Sequence, residues 1–500
     1  MHRLKTQYGL LVMLLQLSEP GLTFAADEAD LTALRSKLES QQRQIEELQA
    51  AVQEQAKLLQ RLTAQSPAAE PKALGASAQP AAQAVSVQQL SKQVEADSRN
   101  IAGFRFSGDF RFRLDVQARS SNEFAGPLQN IRSRYRVRVN VDKELDPRFR
   151  FHMQLSTGPY NVGITNDQDY GGTVAKHPFS IAEAYVDYHP NSIISLRTGR
   201  MEEIFADNTR FLWDDDVRFN GFQQIVKLPV NVPGIKTIEF RSGEYILSNP
   251  NVPVLAPTSP FVTAGYQPGQ KIRAANLFHP GFVIRGDLAP SWSHQVFSGF
   301  EIYRNANQIQ LASTAAGFPV LVSNALGLVL AGPMTGTGNA TTAAGGAVLN
   351  ARNFQIVHAG YRLERKGIKL GAREMPGWLD FQVSRNVGTG KLRDAFMASA
   401  NLGTIQKTGD VRFLYQFAIK DANSMISQFT DDDLGTGTGV NIAVHALRFD
   451  LGITRFLQWQ NLLFIQNERR ANNPQENFFV PLQRGANPTL RFLGQLAFSF

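Results

Sequence analysis

The feature that most constrains this chain is a two-residue alternation of apolar and polar side chains, which recurs from Gly103 to the C-terminal Phe500. Successive side chains of a β-strand point to opposite faces, so each such segment predicts a strand with one apolar and one polar face. A half-buried strand of a soluble sandwich alternates in the same way, so the rest of the chain has to decide which kind of sheet these strands form. In the last segment the apolar face carries Leu490, Phe492, Leu496, Phe498 and Phe500, and the polar face carries Arg491, Gln495 and Ser499.

Sixteen segments share this pattern, which predicts an all-β fold. Bacterial outer-membrane barrels consist of an even number of such strands, each with an apolar outer and a polar inner face. The predicted strands are 103–118, 130–141, 149–157, 179–189, 193–200, 219–229, 235–247, 279–288, 293–304, 353–365, 377–386, 394–402, 410–420, 441–451, 456–467 and 489–500.

The connections between these segments alternate in length. A transmembrane barrel has short periplasmic turns and long outer loops, whereas a soluble sandwich has no reason to sort its loops in this way. We therefore predict a transmembrane antiparallel β-barrel of about sixteen strands over residues 103–500. The apolar stretch 318–330 in the longest loop leaves eighteen strands as the alternative. Short turns lie at 142–148, 189–192, 229–234 and 289–292, and long loops at 158–178, 201–218, 248–278, 305–352, 421–440 and 468–488.

The N-terminus has the order of a secretory signal peptide. A basic start is followed by an apolar run at 8–17 and by small residues around Ala25 and Ala26. We predict a signal peptide over residues 1–25, with cleavage after Ala25 or Ala26. Because the exported chain contains no cysteine, neither a disulfide framework nor a thiolate metal site is possible.

A heptad pattern predicts a coiled coil over residues 26–64, extending into the periplasm. An amphipathic helix packed on the barrel is the alternative. Residues 65–102 are predicted to be a linker, which is rich in Ala, Pro and Gln over 65–83 and has a second short heptad near its end. The apolar heptad positions are Leu31, Leu34, Leu38, Ile45, Leu48, Val52, Leu59 and Leu62, with Gln41 and Gln55 in the two remaining core positions.

Arginines crowd the polar face of the first three predicted strands. An arginine facing lipid at the midplane would cost about 2–4 kcal/mol, so we assign this face to the barrel interior. The alternative role is a structural ladder, in which the arginines pair with Glu183, Asp187 and other inward acids. The predicted pore-lining basic residues are Arg105, Arg111, Arg113, Arg132, Arg134, Arg136, Arg138 and Arg150.

The third connection on the long-loop side, 201–218, follows 119–129 and 158–178 and combines acids with aromatic side chains. An exposed loop has little use for Trp213 beside Phe211, so we predict that it folds into the barrel and narrows it. Acids on the loop would then face arginines on the wall, across a constriction. An outer-loop turn or a cation site is the alternative. The predicted constriction acids are Glu202, Glu203, Asp207, Asp214, Asp215 and Asp216.

Other classes of function find no support in the sequence. The eight histidines are scattered without metal-ligand spacing, and no nucleophile motif has a recognisable context. The formal net charge of +8 comes without the interleaved basic and aromatic motifs of a nucleic-acid-binding protein. We therefore expect no enzymatic activity, no cofactor, no bound metal and no nucleic-acid partner.

Three motifs resemble the bacterial putative porin family. They are the Gly-Asp-Phe-Arg-Phe-Arg strand at 108–113, the arginine-rich strand at 132–138 and the Leu-Trp-Asp-Asp-Asp stretch at 212–216. The resemblance covers Gly103 to Leu228 well and the remainder only in general barrel character. It implies passive diffusion, a homotrimer and an inward third loop. Phosphate-selective porins, similar in layout, use basic residues to favour anions, but the acids of 201–218 depart from that pattern.

We therefore predict a Gram-negative outer-membrane porin, a water-filled channel for passive diffusion of small hydrophilic solutes or ions. Its partners would be outer-membrane lipid, further copies of itself in a homotrimer, and the barrel-assembly machinery, which would recognise Phe500. Peptidoglycan is the candidate partner of the coiled coil. The alternative is an outer-membrane anchor or adhesion protein, whose coiled coil tethers peptidoglycan or another partner.

Overall fold

The structure is a computed structural model that describes most of the chain from residue 100 onward. The predicted signal peptide, coiled coil and nearly all of the linker lie outside the described residues. Within the described part, no helix is long and apolar enough to cross a membrane. The described ranges are 100–101, 103–121, 127–159, 163–170, 176–248, 273–306, 309, 322–323, 328–329, 339, 354–371, 373–427, 429–431, 433–434, 439–469 and 488–500.

Sixteen antiparallel strands form one sheet. Two short segments extend it, since Asn100–Ile101 pairs with β1 and Gln168–Asp169 pairs with β2. The strands are β1 (Phe104–Arg119), β2 (Leu128–Asp146), β3 (Phe149–Thr157), β4 (Phe179–Tyr188), β5 (Ile194–Met201), β6 (Phe219–Val232), β7 (Ile235–Ser248), β8 (Ala275–Ala289), β9 (Trp292–Arg304), β10 (Gln355–Leu370), β11 (Arg373–Asn386), β12 (Asp394–Gly403), β13 (Val411–Lys420), β14 (Ile442–Gly452), β15 (Leu457–Glu468) and β16 (Thr489–Ser499).

The sheet closes on itself into a barrel. Each strand pairs with its neighbours in sequence, and β1 also pairs with β16, from Asp109 opposite Ser499 to Ala118 opposite Leu490. An unpaired backbone group in lipid costs several kcal/mol, and closure leaves no strand edge unpaired. The closed barrel therefore satisfies the main requirement that a bilayer places on a sheet.

The predicted number of sixteen barrel strands is confirmed. The eighteen-strand alternative is wrong for the described residues. In the longest loop, Val322–Ser323 pairs with Leu328–Val329, but this hairpin forms a separate two-stranded sheet. Since β9 and β10, which flank this loop, pair directly with each other, the wall has no gap there for a further hairpin.

Several strands run further than the alternation predicts. β2 covers Leu128–Asp146 instead of 130–141, and β10 continues to Leu370 instead of 365. In β10 the pairing persists to the turn, with Leu370 opposite Arg373 of β11. The alternation reports which side chains face lipid, so it fades where a strand leaves the hydrocarbon region while backbone pairing continues.

The two faces of the wall differ sharply in exposure. Along β11, Leu379, Phe381 and Val383 point outward and are 45–50% exposed, whereas the residues between them, Asp380 and Gln382, are buried inside the barrel. Apolar side chains that are exposed on an isolated barrel are the ones that contact lipid in a membrane.

The C-terminus completes the seam between β1 and β16. The Gly108 N–H donates to the Phe500 carbonyl at 2.9 Å, and the Phe500 N–H donates to the Gly108 carbonyl at 3.1 Å. A Cβ on Gly108 would lie 2.3 Å from the Arg138 carbonyl oxygen and 2.6 Å from the Phe500 ring. Glycine at 108 therefore allows the terminal ring to lie against β1.

We expect deletion of Phe500 to lower the yield of folded barrel several-fold while leaving the conductance of the inserted fraction unchanged. The deletion removes two backbone hydrogen bonds at the seam, each contributing about 0.5–1.5 kcal/mol. The measurement is the heat-modifiable band on gel electrophoresis of outer membranes. Phe456→Ala is the control, because Phe456 is also an exposed aromatic at this end of the barrel. Equal yields for the deletion and the control would contradict the expectation.

Candidate functional site

Arginines of β1 and β2 lie directly opposite one another inside the barrel. Arg111 pairs in register with Arg136, and Arg113 with Arg134. All four residues are buried. Like charges opposite each other destabilise a sheet, so acids have to lie between them.

Two acids of β1 supply part of this compensation. Asp109 contacts Arg136 at 2.8 Å and Arg138 at 2.7 Å. Asp115, which is fully buried, contacts Arg132 of β2 at 2.7 Å. On its other side Asp115 contacts Arg491 of β16 at 3.0 Å, so this carboxylate links three strands across the seam.

The acids named for the structural-ladder alternative pair with other residues. Glu183 contacts Arg218 at 2.6 Å, and Asp187 contacts Arg197 at 3.1 Å. The buried arginines of β1 and β2, Arg111, Arg113, Arg134 and Arg136, form an arginine patch. A ladder of ion pairs exists along it, but its acids are Asp109 and Asp115 of β1 and not Glu183 or Asp187.

Two of the eight predicted pore arginines lie apart from the buried patch. Arg105 is 3.7 Å from Glu144, and Arg150 is 2.6 Å from Asp142, close to the turn between β2 and β3. Both arginine side chains are about half exposed, at 56% and 41%. They belong to the rim of the barrel at this end.

Asp167, in the loop between β3 and β4, lies among the opposed arginines. Its carboxylate is 2.6 Å from Arg111, 2.8 Å from Arg113 and 3.7 Å from Arg134. Burial alone would raise the pKa of Asp167, but the charges of Arg113, Arg111 and Arg134 outweigh it and hold the pKa far below its usual range. The loop therefore supplies the negative charge that lets the two arginine rows approach each other.

The predicted constriction acids divide into two sets. Asp216 lies 3.8 Å from Arg136 and 4.0 Å from Arg138. Asp215 is 2.5 Å from Arg210. Burial raises the pKa of Asp215, but Arg210 and Arg136 lower it more, and the net shift is downward. These two acids face the arginine patch.

The other four acids contact the wall or the loop itself. The prediction that all six face the arginines of the first strands is therefore corrected, because the contacts of these four carboxylates lie on other parts of the wall and loop. Glu202 contacts Arg218 at 3.1 Å, Glu203 contacts His279 at 2.7 Å, Asp207 accepts from Gln382 at 2.8 Å and Asp214 accepts from the backbone N–H of Asp216 at 2.7 Å.

The connection between β5 and β6 reaches strands far around the barrel. The Gln382 amide of β11 donates to Asp207 and to the Thr209 hydroxyl, at 2.8 and 2.9 Å. The Gln416 amide of β13 donates to the Thr209 carbonyl at 3.0 Å. Since these glutamines point into the barrel, the middle of this loop lies across its interior.

Aromatic side chains of this loop are buried there. Phe211 is fully buried and Trp213 is 3% exposed. The Trp213 ring meets Phe219 of β6 edge-on at 5.4 Å and Phe429 of another loop at 6.3 Å. Hydrophobic contacts thus hold the loop against one side of the interior, while Asp215 and Asp216 face the arginine patch.

A second loop, between β13 and β14, brings an unpredicted acid to the patch. Asp433 lies 3.5 Å from Arg113, 3.1 Å from Arg491 and 3.2 Å from Arg210. Burial raises the pKa of Asp433, but these three arginines lower it more and hold it below its usual range. The acidic runs 166–169 and 431–433 were the sequence signals for Asp167 and Asp433, and both lie in predicted long loops.

A cavity of about 260 Å³ lies inside the barrel between β1, β2 and β14–β16. Polar side chains form most of its lining, with glutamines on β15 and β16. Its charged lining consists of Arg111, Arg113, Arg136, Arg138, Arg210 and Arg448, with Asp109 and Asp215 as the acids.

Two groups of described side chains could share a metal ion, namely Asp214–Asp216 and the set His279, Glu301 and His358. The aspartates already bind other groups: the Asp216 N–H, Arg210 and the Asn166 amide. The histidine set was missed in the sequence, because its members lie on β8, β9 and β10 and come together only through the strand register.

A closed sixteen-stranded barrel with an apolar outside and a charged interior is the architecture of a bacterial outer-membrane channel. The sequence profile of the family described as Putative porin matches residues 115–276. This match contains two of the three motifs noted in the sequence and confirms the resemblance to that family. The barrel fold and this match over about a third of the chain make it similar to channel-forming porins of the Gram-negative outer membrane.

Solved porin structures also align with most of the chain. An anion-selective porin from Comamonas acidovorans is 9% identical, with 79% of this chain and 99% of that chain covered and a TM-score of 0.42. OprB of Pseudomonas putida is 10% identical, with 83% and 97% covered and a TM-score of 0.44. A triple mutant of Rhodopseudomonas blastica porin is 10% identical, with 79% and 100% covered and a TM-score of 0.38. No curated protein matches the chain.

We expect Asp167→Asn to destabilise the folded barrel by about 3–5 kcal/mol, because it leaves buried arginines without their counter-charge. Urea unfolding followed by tryptophan fluorescence measures this. Asp394→Asn is the control, since its ion pair with Arg385 is about half exposed and should contribute about 1 kcal/mol or less.

The difference in unfolding free energy between wild type and Asp167→Asn should depend on pH with a defined sign. A carboxylate with a depressed native pKa stabilises the fold fully above its unfolded pKa, about 3.9, and loses that effect only as the pH falls toward the native value. The difference between wild type and Asp167→Asn should hold from neutral pH to about 5 and shrink below about 4. A difference that vanished between neutral pH and 5 would refute the assignment.

Proposed function

We propose that this protein is a porin through which small hydrophilic solutes diffuse passively, and that the arginine-lined cavity favours anions over cations. The observation that carries the proposal is the cavity of about 260 Å³, with six arginines and two aspartates in its charged lining. Asp167 and Asp433 contact the arginines from the loops but do not line the cavity, so a solute inside it meets mainly guanidinium groups. The preference should be modest, since these acids offset much of the positive charge.

The connection 202–218 is proposed to narrow the channel. Its contacts with Gln382 and Gln416 on the far wall support this role, since a segment bound at both sides of the lumen reduces the free cross-section. Asp215 and Arg210 line the cavity from this loop, so a passing solute would meet charges on the loop as well as on the wall.

The remaining proposals rest on the sequence. We propose export through the signal peptide 1–25, a periplasmic coiled coil over 26–64 that contacts peptidoglycan, and assembly as a homotrimer. The heptad pattern supports self-association, since an isolated helix of this polarity would be marginal in water. Phe500, at the seam between β1 and β16, is proposed as the residue that the barrel-assembly machinery recognises.

The test is the reversal potential of single channels in a planar bilayer under a potassium chloride gradient. We expect openings in groups of three and a potential on the anion-preferring side. Arg138→Gln should shift the potential toward cation preference, because it removes a cavity charge whose side chain is partly exposed. Arg385→Gln should not shift it, because Arg385 is an exposed arginine outside the cavity.

No openings over many insertions of folded protein would reject the channel and favour the anchor or adhesion alternative. Openings with cation preference, or an Arg138→Gln potential equal to that of wild type, would retain the channel but reject the role of the arginine-lined cavity.

A further inference from the structure

Two histidines and a glutamate from three adjacent strands meet inside the barrel. His279 of β8, Glu301 of β9 and His358 of β10 each offer a donor atom, and these atoms lie within 4.8 Å of one another. None of the three residues is more than 2% exposed. The Nε2 atoms of the two histidines are 2.6 Å apart. The proposed channel uses none of these groups.

Gly299 of β9 keeps the point between the two rings open. It lies opposite His358 in the register of β9 with β10. A Cβ built on Gly299 would be 2.4 Å from Nε2 of His358 and 2.6 Å from Nε2 of His279. Zinc–imidazole bonds measure about 2.0–2.1 Å. The glycine therefore leaves space close to both nitrogens, where an ion could lie and a larger side chain could not.

A hydrogen bond from the loop orients one of the rings. Nδ1 of His279 lies 2.7 Å from the Glu203 carboxylate, which also accepts from the Tyr245 hydroxyl at 3.3 Å and from the Phe205 N–H at 2.6 Å. When Nδ1 carries the proton and donates to Glu203, Nε2 presents its lone pair to the open point. Carboxylate–histidine pairs orient metal-binding imidazoles in the same way.

The second ring has an unused nitrogen. Nδ1 of His358 is buried and has no hydrogen-bond partner among the described residues. No hydrogen bond at Nδ1 therefore decides which nitrogen of His358 carries the proton, and the tautomer with a bare Nε2 is available to an ion.

The charge of the cluster also favours a cation. Glu301 and Glu203 are both buried, and within the described part of the chain no lysine or arginine forms a salt bridge with either. The Tyr303 hydroxyl donates to Oε2 of Glu301 at 2.9 Å. Buried carboxylates without a lysine or arginine partner are costly, and a dication among them would compensate their charge.

We propose that Nε2 of His279, Nε2 of His358 and the Glu301 carboxylate bind a first-row transition-metal dication, for which Zn²⁺ is the probe. Two imidazoles and one carboxylate are a donor set that suits zinc. Tetrahedral binding requires the two nitrogens to separate to about 3.3 Å, a small movement into the space beside Gly299. The ion joins β8, β9 and β10 and, through His279 and Glu203, secures the loop to the wall.

The test is zinc retained by the folded, full-length protein in detergent, without a histidine tag, after equilibration with zinc chloride and desalting. We expect close to one zinc per chain by mass spectrometry. Glu301→Gln and His358→Gln should each lower the zinc affinity at least about 10-fold. His445→Gln is the control, because His445 is exposed beside Tyr415 on the outer face.

Gly299→Ala tests the geometry with all three ligands in place. Its methyl group would occupy the space between the nitrogens, so zinc should be lost as in the ligand variants. Gly390→Ala is the matched control, since a Cβ there has nothing within 4 Å. Heat-modifiable migration on gels identifies the folded fraction of every variant.

The wild type and the variants each offer a result that would overturn the proposal. One is folded wild type that retains no zinc above background, a measurement that does not depend on whether any variant folds. The other is zinc that folded Glu301→Gln, His358→Gln or Gly299→Ala protein retains as tightly as wild type. X-ray absorption of the bound zinc should show imidazole scattering, and a shell without it would also exclude this site.

Discussion

The backbone hydrogen bonds of a sheet in lipid constrain everything else in this structure. Every N–H and C=O group within the hydrocarbon has to pair inside the protein, and only a closed sheet achieves this with strands. Closure between β1 and β16 then gives each side chain one of two environments, lipid or interior. The two-residue alternation follows from this division. Because every second side chain faces the interior, many arginines can occupy one short stretch of wall.

The pairing of β1 with β2 creates an electrostatic problem that the loops solve. The register of β1 with β2 sets Arg111 against Arg136 and Arg113 against Arg134. Asp167 and Asp433 come from different loops and lie among these arginines, so the charge of the wall binds the loops inside the barrel. The interior is therefore an ion-pair network that contains a cavity, and wall and loops stabilise each other.

Sequence alone could predict the strands because their alternation reports a local property, the side of the wall that each residue faces. The number of strands and the inward side of the β1 and β2 arginines both follow from it. The ends of β2 and β10 did not, since pairing continues beyond the lipid-facing region where the alternation fades.

The partners inside the barrel could not be predicted, because they depend on loop paths and strand register. Asp167 and Asp433 were visible as loop acids, but nothing local indicates that they reach Arg113. Glu203 is close in sequence to the other loop acids, and yet it contacts His279 on β8, away from the arginine patch of β1 and β2. His279 and His358 are far apart in the chain, and only the pairing of β8, β9 and β10 brings their rings together.

The central claim is that each strand presents one face to lipid and the other to a polar interior. Spin labels on single cysteines along β11 test it directly, since the chain has no cysteine of its own. In lipid vesicles, labels at Leu379, Phe381 and Val383 should collide with oxygen and be shielded from a water-soluble nickel chelate. Labels at Asp380, Gln382 and Ser384 should be shielded from oxygen. A profile without this two-residue period, or with its phase reversed, would contradict the account.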